Sequence, residues 1–310
     1  MKNLEGFSII VCCYNSSARI KPTLKHLAAL DTCDKPTEVI LVDNNCQDDT
    51  VEVASEFWFS ELDNPYDLIV VKEYKAGLSF AREKGVSMSR YSYGVFCDDD
   101  NWLSENYLET ILNTFRSNAS IGIVGGVSYP VSDSKFPAWF FNRAKSFAVG
   151  IQAEKTGLVT KNHWLWGAGM AFRVEVLMLI YSSGVKSLLS DRSGASLTSG
   201  GDNEICAWFI FKGYELWYDN SLTISHYMSN DRLTDNYYQR FFNQSYPTAW
   251  PVYSSFLDLA IGSSGELNCH LSVAQKIERK VKSIICILRN YKIFFKILKL
   301  RRIIKESKLL

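Results

Sequence analysis

Four short runs dominated by apolar residues recur within the first hundred positions: Phe7–Cys13, Glu38–Val42, Leu68–Lys72 and Tyr93–Cys97. A strand with one wet face alternates apolar and polar side chains, whereas a near-continuous apolar run fits only a strand covered on both faces. The segments between them carry helical spacing. One helix is predicted from a cap at Ser16 or Ser17 to about Leu30. A second follows the polar loop Asp43–Thr50 and runs through Phe57, and a third follows Gly77 and contains Ala81, Arg82 and Val86. A helix over Ser104–Ser117 and a strand over Ile121–Val127 continue the series. This alternation predicts an α/β fold: an open, mostly parallel twisted sheet with helices on both faces.

Ligands of such sheets bind beyond the carboxyl ends of the strands, and the most acidic part of the chain falls there. The fourth run ends in Phe96-Cys97-Asp98-Asp99-Asp100-Asn101. Three adjacent carboxylates repel one another unless a cation sits among them. Hard divalent ions such as Mg²⁺ or Mn²⁺ take carboxylate oxygens and share such sites with phosphates. A solvated acidic turn is the plainer alternative. Asp43, at the end of the second run, suits hydrogen bonds from a base or a ribose, and equally suits a turn. The chain has neither Gly-x-Gly-x-x-Gly nor Gly-x-x-x-x-Gly-Lys-Ser/Thr, which argues against a dinucleotide dehydrogenase and a P-loop nucleotidase.

The formal net charge of +1 conceals an asymmetry. Residues 271–310 hold 12 Lys/Arg against Glu278 and Glu306, a net of +10, which leaves −9 on the rest. The eight cysteines form no Cys-x-x-Cys pair and read as small buried hydrophobes. Met1–Gly6 runs straight into the first strand and reads as no leader. No apolar stretch approaches a membrane span, and the reducing cytoplasm is the expected compartment.

Beyond Val127 the pattern weakens. Residues 128–162, with Pro130, Pro137, Trp139, Phe140 and Phe141, read as a long excursion or flexible lid. Structure resumes over His163–Phe172, with a helix from Val174 to about Tyr181. The Ser/Gly-rich stretch 190–201 leads into a helix at Asp202–Lys212, and two short strands follow at Tyr214–Tyr218 and Leu222–His226.

Taken in order, these segments resemble family 2 glycosyltransferases, the nucleotide-sugar-dependent, inverting type with the GT-A (Rossmann-like) fold. The matching stretches are Ile9-Ile10-Val11-Cys12-Cys13-Tyr14-Asn15, Glu38 through Asn45 to Asp49-Thr50, Gly77-Leu78-Ser79-Phe80-Ala81-Arg82, Val95 to Asn101, Trp166 to Ala171, and Gly200-Gly201-Asp202-Asn203-Glu204. The resemblance implies that Asp98 and Asp100 are the outer members of an Asp-x-Asp motif. Asp100 would hold the Mg²⁺ or Mn²⁺ ion on the donor diphosphate, and Asp98 would lie nearer the ribose or sugar. Asp99 would be a second ligand or a turn residue. Asp43 would bind the base, Tyr14 and Asn15 would line the nucleotide pocket, and Arg82 would face the phosphates or brace the aspartates. Relatives often carry Glu-Asp after a glycine, where this chain has Gly201-Asp202. Asp202 is therefore the candidate base for the acceptor hydroxyl, with Glu204 in reserve; an aspartate there also suits an N-cap. His226 would reach the metal or diphosphate, or serve as a structural histidine. Trp166 and Gly169 would lie on the acceptor side.

No Gln-x-x-Arg-Trp of processive relatives follows, which favours single-sugar transfer to a saccharide or lipid-linked acceptor, in bacterial-type surface polysaccharide or glycolipid assembly. The expected domains are a catalytic unit over 1–227 (nucleotide half about 1–127, acceptor half about 128–227), an acceptor-side helical segment over 228–270, and a helical extension over 271–310. In that extension Ile277, Val281, Ile284, Leu288, Tyr291, Phe295 and Leu298 recur at steps of four and three among lysines and arginines. This is the pattern of a basic amphipathic helix on an anionic membrane surface, or of a docking or coiled-coil helix. A peripheral place at the inner face of the cell membrane is expected, and nucleic acid is not a partner. Two other readings stand beside the transferase: a HAD-like phosphatase, which also places an Asp-x-Asp after a strand, and a non-catalytic membrane-associated sugar-binding subunit.

Overall fold

The computed structural model describes residues 4–63, 66–159, 164–189, 191–192, 200–243, 249–260 and 272–308. His163, most of the 190–201 stretch and parts of the 228–270 segment lie outside the described residues.

The apolar runs form one half of a sheet that has nine strands among the described residues. Strands β1 (Leu4–Cys13), β2 (Thr37–Asp43), β3 (Asp67–Lys72) and β4 (Tyr91–Asp98) pair in parallel in the spatial order β3-β2-β1-β4. Their register brings Asp43 and Asp98 to the same carboxyl edge on either side of β1, with Cys13 opposite Asp43 and Cys12 opposite Asp98. Beyond β4 the sheet turns mixed. The short β8 (Ala171–Arg173) runs antiparallel between β4 and β6 (Ile121–Val131), and β6 pairs in parallel with β9 (Glu215–Tyr227). The edge strands β5 (Asn101–Leu103) and β7 (Gly157–Leu158) pair antiparallel with β9. The pairing of β5 sets His226 opposite Asn101, one residue after Asp100.

Successive residues of a strand face opposite sides, and each face has its own core. Ile10, Ile40, Val42 and Phe96 face one layer, and Ile9, Val11, Val39, Leu41 and Val95 face the other. The first layer is covered by α3 (Leu78–Met88), α6 (Val174–Ser182) and α7 (Gly201–Lys212); α1 (Ile20–Ala28) and α4 (Tyr107–Ser117) supply buried residues to the second. Helix α2 (Thr50–Glu56) completes the first half of the chain.

Several local expectations change. Neither Ser16 nor Ser17 caps α1, because both hydroxyls are committed elsewhere: Ser16 donates to Asp99 and Ser17 to Asp48, and the helix starts after Arg19. The two strands expected at 214–226 are one continuous strand, β9. The described part of the 128–162 excursion, residues 128–159, is folded back on the sheet. It contains the end of β6, α5 (Phe140–Arg143), a 3₁₀ turn (Ala144–Phe147) and β7, and Phe140, Phe147 and Val149 bury against Met228 and Leu233.

After β9 a 3₁₀ turn (Asn230–Leu233) leads to α8 (Asp235–Asn243) and α9 (Ala249–Ala260). The basic extension is two helices, α10 (Val273–Arg289) and α11 (Tyr291–Glu306). Ser272 and Gln275 form a capping box at its start. Asn290 leaves helical geometry, and its side chain donates back to the Cys286 carbonyl at 2.9 Å, ending α10. Ile297, Leu300 and Ile304 of α11 are buried in the core that α7 and α9 share, and Lys212 Nζ donates to the Ile304 carbonyl at 3.1 Å. No described helix is long and apolar enough to cross a membrane.

Candidate active site

At the carboxyl edge of β1 and β4 a cavity of about 540 Å³ opens between the sheet and the start of α7. Asp98, Asp99 and Asp100 line it from the end of β4, Asp202 from the first turn of α7, and His226 from β9. Tyr14, Arg82 and Trp166 also line it. The chain thus brings together acidic residues more than a hundred positions apart.

Each aspartate of the triplet has a different environment. Asp99 is held by Arg19, whose Nε and Nη2 donate to its two carboxylate oxygens at 3.0 and 2.7 Å, and its carbonyl accepts from Thr23 Oγ1 at 2.8 Å. Burial pushes the Asp99 carboxyl up, and Arg19 pulls against it. Asp100 Oδ2 accepts from Arg232 Nη1 at 2.7 Å, and its Oδ1 lies 3.4 Å from His226 Nε2. Burial opposes its ionisation, yet the neighbouring His226 and Arg232 side chains hold it well below the usual carboxylate range. Asp98 is the most open, with its side chain about a third exposed and 3.9 Å from Arg82.

Arg82 is a buried cation beneath the floor of the cavity. It lies over the Phe96 ring, 3.9 Å from Asp98 and 3.5 Å from Asp191. Burial disfavours its charge, and the fields of Asp191, Asp98 and Asp202 more than compensate. Gly167 is required beside it, since a Cβ there would stand 2.4 Å from Arg82 Nη2. The Gly167 N–H donates to Asp202 Oδ2 at 3.0 Å, and the Asn203 N–H donates to Oδ1 at 2.8 Å. Asp202 is not an N-cap, because Gly200 occupies that position and no side chain caps the helix. A carboxylate oxygen accepts about two hydrogen bonds, so both oxygens of Asp202 keep capacity for a hydroxyl.

Other residues singled out from sequence lie back from the cavity wall. Asp43 accepts the Cys46 N–H at 2.8 Å and pairs with Lys72 at 3.3 Å; its neighbour Asn44 is the one that lines the cavity. Asn15 adopts φ +51°, and its side-chain oxygen accepts the Gln47 N–H at 2.8 Å. Gly169 adopts φ +70° and accepts a hydrogen bond from Tyr107 Oη. Glu204 is fully buried in the core, where its carboxylate accepts from the Leu188 N–H at 2.9 Å, the Leu189 N–H at 3.2 Å, Tyr253 Oη at 2.6 Å and Ser187 Oγ. From there it fixes the loop that carries Asp191 rather than meeting a substrate.

Sequence reasoning missed Arg19, Arg232, Asp191 and Asn44. Arg19 and Arg232 meet the aspartates only through tertiary folding, and no spacing signals them. Asn44 is likewise placed by distant partners: its side chain donates to the Glu73 and Lys75 carbonyls and accepts the Gly77 N–H, tying the loops after β2 and β3 together. The half-buried Cys12 thiol also lines the cavity, but desolvation pushes its pKa up to about 12, which removes it as a nucleophile near neutrality.

The model of the family described as "Glycosyl transferase family 2" matches residues 8–178, more than half of the chain. The chain belongs to glycosyl transferase family 2. This family 2 chain is 26% identical over 125 residues to the poly-β-1,6-N-acetyl-D-glucosamine synthase of Staphylococcus epidermidis, a match covering 40% of this chain and 29% of that protein. It is 29% identical over 114 residues to the cholesterol galactosyltransferase of Borreliella burgdorferi, covering 36% of this chain and 30% of that one. The matches thus span less than a third of either relative. Among solved structures, residues 1–349 of S. aureus TarS in complex with UDP-GlcNAc superimpose with a TM-score of 0.55 at 14% identity, over 99% of this chain and 91% of that one. That likeness establishes the GT-A fold. Membership of the family removes the phosphatase alternative.

Proposed function

We propose that this protein is an inverting glycosyltransferase that moves a single sugar from a nucleotide-diphosphate sugar to a saccharide or lipid-linked acceptor, in the assembly of a bacterial-type surface polysaccharide or glycolipid. The observation that carries the reading is the convergence of Asp98, Asp100, Asp202 and His226 on one cavity at the carboxyl edge of the sheet. The UDP-GlcNAc held by the TarS neighbour supports a nucleotide-sugar donor. The name of the S. epidermidis relative supports the polysaccharide setting.

In this reading Asp202 takes the proton of the attacking acceptor hydroxyl, its carboxylate aimed by the Gly167 and Asn203 N–H groups. Asp98, with Arg82 beneath it, faces the ribose or sugar. Trp166 lines the same cavity and offers a flat face to the acceptor. Among the described residues no group of three or more His, Cys, Asp or Glu side chains suits a metal. A Mg²⁺ or Mn²⁺ ion completed by substrate phosphates needs only one or two carboxylates; Asp100, with His226 3.4 Å away, would hold it once Arg232 Nη1, now 2.7 Å from Asp100 Oδ2 and 3.3 Å from His226 Nε2, gives way to the ion. Bound there, the ion supplies Lewis-acid stabilisation of the departing diphosphate. Arg232 adds fixed positive charge to the same edge.

The test is a UDP-binding titration with and without Mn²⁺ or Mg²⁺, run beside a hydrolysis screen of nucleotide sugars, comparing wild type with Asp100→Ala. Asp100→Ala is expected to weaken UDP binding in Mn²⁺ by about tenfold or more, near 1.4 kcal/mol, and chelation should weaken wild type to the same level. Equal UDP affinity for both proteins, with and without the ion, contradicts the proposed roles of Asp100 and the metal.

The same reading places the protein at the inner face of the cell membrane. Support comes from an uncovered apolar stripe, Ile277, Val281, Ile284, Leu288, Tyr291 and Phe295, exposed along α10 and the start of α11 among basic residues. Lysines and arginines near an anionic surface contribute about 1 kcal/mol each. Wild type is expected to pellet with phosphatidylglycerol vesicles and not with phosphatidylcholine vesicles. The double variant Ile284→Asp/Leu288→Asp should stay in the supernatant with an unchanged melting temperature. Pelleting indifferent to lipid charge or to the double substitution, or a dimer in solution that the substitutions dissociate, overturns the membrane assignment.

A further inference from the structure

Helix α7 opens with a glycine whose side-chain space is already filled. A Cβ built on Gly201 would stand 2.3 Å from Asp191 Oδ2 and 3.1 Å from its Cγ. Asp191 arrives there from a different segment, and its side chain is only 6% exposed. Among the described residues two anchors tie that segment to its neighbours, one at Arg192 and one at Leu188 and Leu189, and one bond shapes it from within. The Arg192 N–H donates to Asp191 Oδ1 at 3.0 Å, the Leu78 N–H at the start of α3 donates to the Arg192 carbonyl at 3.0 Å, and Glu204 grips the Leu188 and Leu189 N–H groups. Asp191 Oδ2 faces Arg82 Nη1 at 3.5 Å, and Arg82 in turn faces Asp98 at 3.9 Å and packs against Gly167, whose N–H aims Asp202.

We infer that Asp191 is a positioning residue of the active site: its carboxylate fills the space left by Gly201 and fixes the Arg82 guanidinium. Through Arg82 it sets the places of Asp98 on the donor side and of the Gly167–Asp202 pair on the acceptor side. The inference rests on the function proposed above, and it assigns a role to a residue that no sequence motif marks. A buried arginine with five donors needs acceptors on more than one side to keep a single orientation. Asp98 alone, partly open to the cavity, supplies one side. Asp191 supplies the other, from a segment tied both to α3, where Arg82 resides, and to α7, where Asp202 resides. The glycine at 201 is what makes room for it.

The test is a four-protein set: wild type, Asp191→Ala, Gly201→Asp and the double variant Asp191→Ala/Gly201→Asp. An aspartate at 201 reaches the point where Asp191 Oδ2 now sits, so the double variant returns a carboxylate to Arg82 from the other segment. Asp191→Ala should lose on the order of 10²-fold in kcat for hydrolysis of the best nucleotide sugar from the screen, as expected when reacting groups are slightly misplaced, with a smaller change in donor KM. The double variant should recover most of that loss. Gly201→Asp alone should lower the melting temperature more in the wild-type background than in the Asp191→Ala background, because only the former contains the clash. This thermal arm needs no substrate, so it judges the Asp191–Gly201 geometry even if wild type hydrolyses no nucleotide sugar, a result that would count against the proposed function instead. Additive melting shifts, a kcat for Asp191→Ala equal to wild type, or a double variant no more active than Asp191→Ala each overturn the inference.

Discussion

Asp202→Asn is expected to abolish sugar transfer while leaving the donor bound. The substitution preserves shape, and an amide oxygen can still accept the Gly167 N–H; only the Asn203 N–H bond is given up, on a turn that the backbone bond from Glu204 N–H to the Gly200 carbonyl also holds. What it removes is the ability to accept a proton from the acceptor hydroxyl as that oxygen attacks the anomeric carbon. General-base groups of this kind contribute about 10²–10⁴-fold, and kcat should fall by that factor with donor affinity changed little. A variant that also loses nucleotide binding assigns Asp202 to the donor site; a variant with wild-type turnover removes it from the chemistry.

Glu204→Ala should produce the largest loss of stability among the residues discussed. The Glu204 carboxylate is fully buried and accepts hydrogen bonds from Ser187, Leu188, Leu189 and Tyr253. Each buried donor left without a partner costs about 1–3 kcal/mol, and local relaxation recovers part of that sum. A net loss of about 3–5 kcal/mol is expected, comparable to breaking a buried polar pair. The melting temperature should fall by roughly 2–4 °C for each kcal/mol. Turnover should fall as well, since the segment carrying Asp191 loses its anchor. Glu204→Gln keeps one acceptor but turns an N–H₂ group toward the Leu188 and Leu189 N–H donors, so it should lie between wild type and alanine. Melting of Glu204→Ala within roughly 1 °C of wild type, well under one kcal/mol on the same scale, contradicts this account of the cluster.

The parallel half of the sheet was legible because apolar runs leave a local mark: those at Phe7, Glu38, Leu68 and Tyr93 are strands of the structure, although β3 at the sheet's end is only partly covered, with Val70 exposed. The triplet Asp98–Asp100 was legible for the same reason, since the strand that delivers it fixes which edge it reaches. Partnerships made only in three dimensions were not. Arg19 is 80 positions from Asp99 and Arg232 is 132 from Asp100, and each sits in a short irregular segment with no period to read. Asp191 lies within the Ser/Gly-rich stretch 190–201, where composition predicts a loop and nothing of the carboxylate's aim. In the basic extension the period revealed helix but not its break at Asn290. The residues of the expected seam, such as Ile277 and Leu288, face outward, while Ile297, Leu300 and Ile304 pack inward. A hydrophobic period shows that a face exists; the shape of the neighbouring helices decides which face is covered.

The most direct measurement is a crystal structure of the full chain with UDP and Mn²⁺. The account predicts the diphosphate and the ion between Asp98, Asp100 and His226, with the Asp202 carboxylate open to the acceptor side of the same cavity. A nucleotide seated elsewhere on the protein, or an ion held without Asp100, would contradict it.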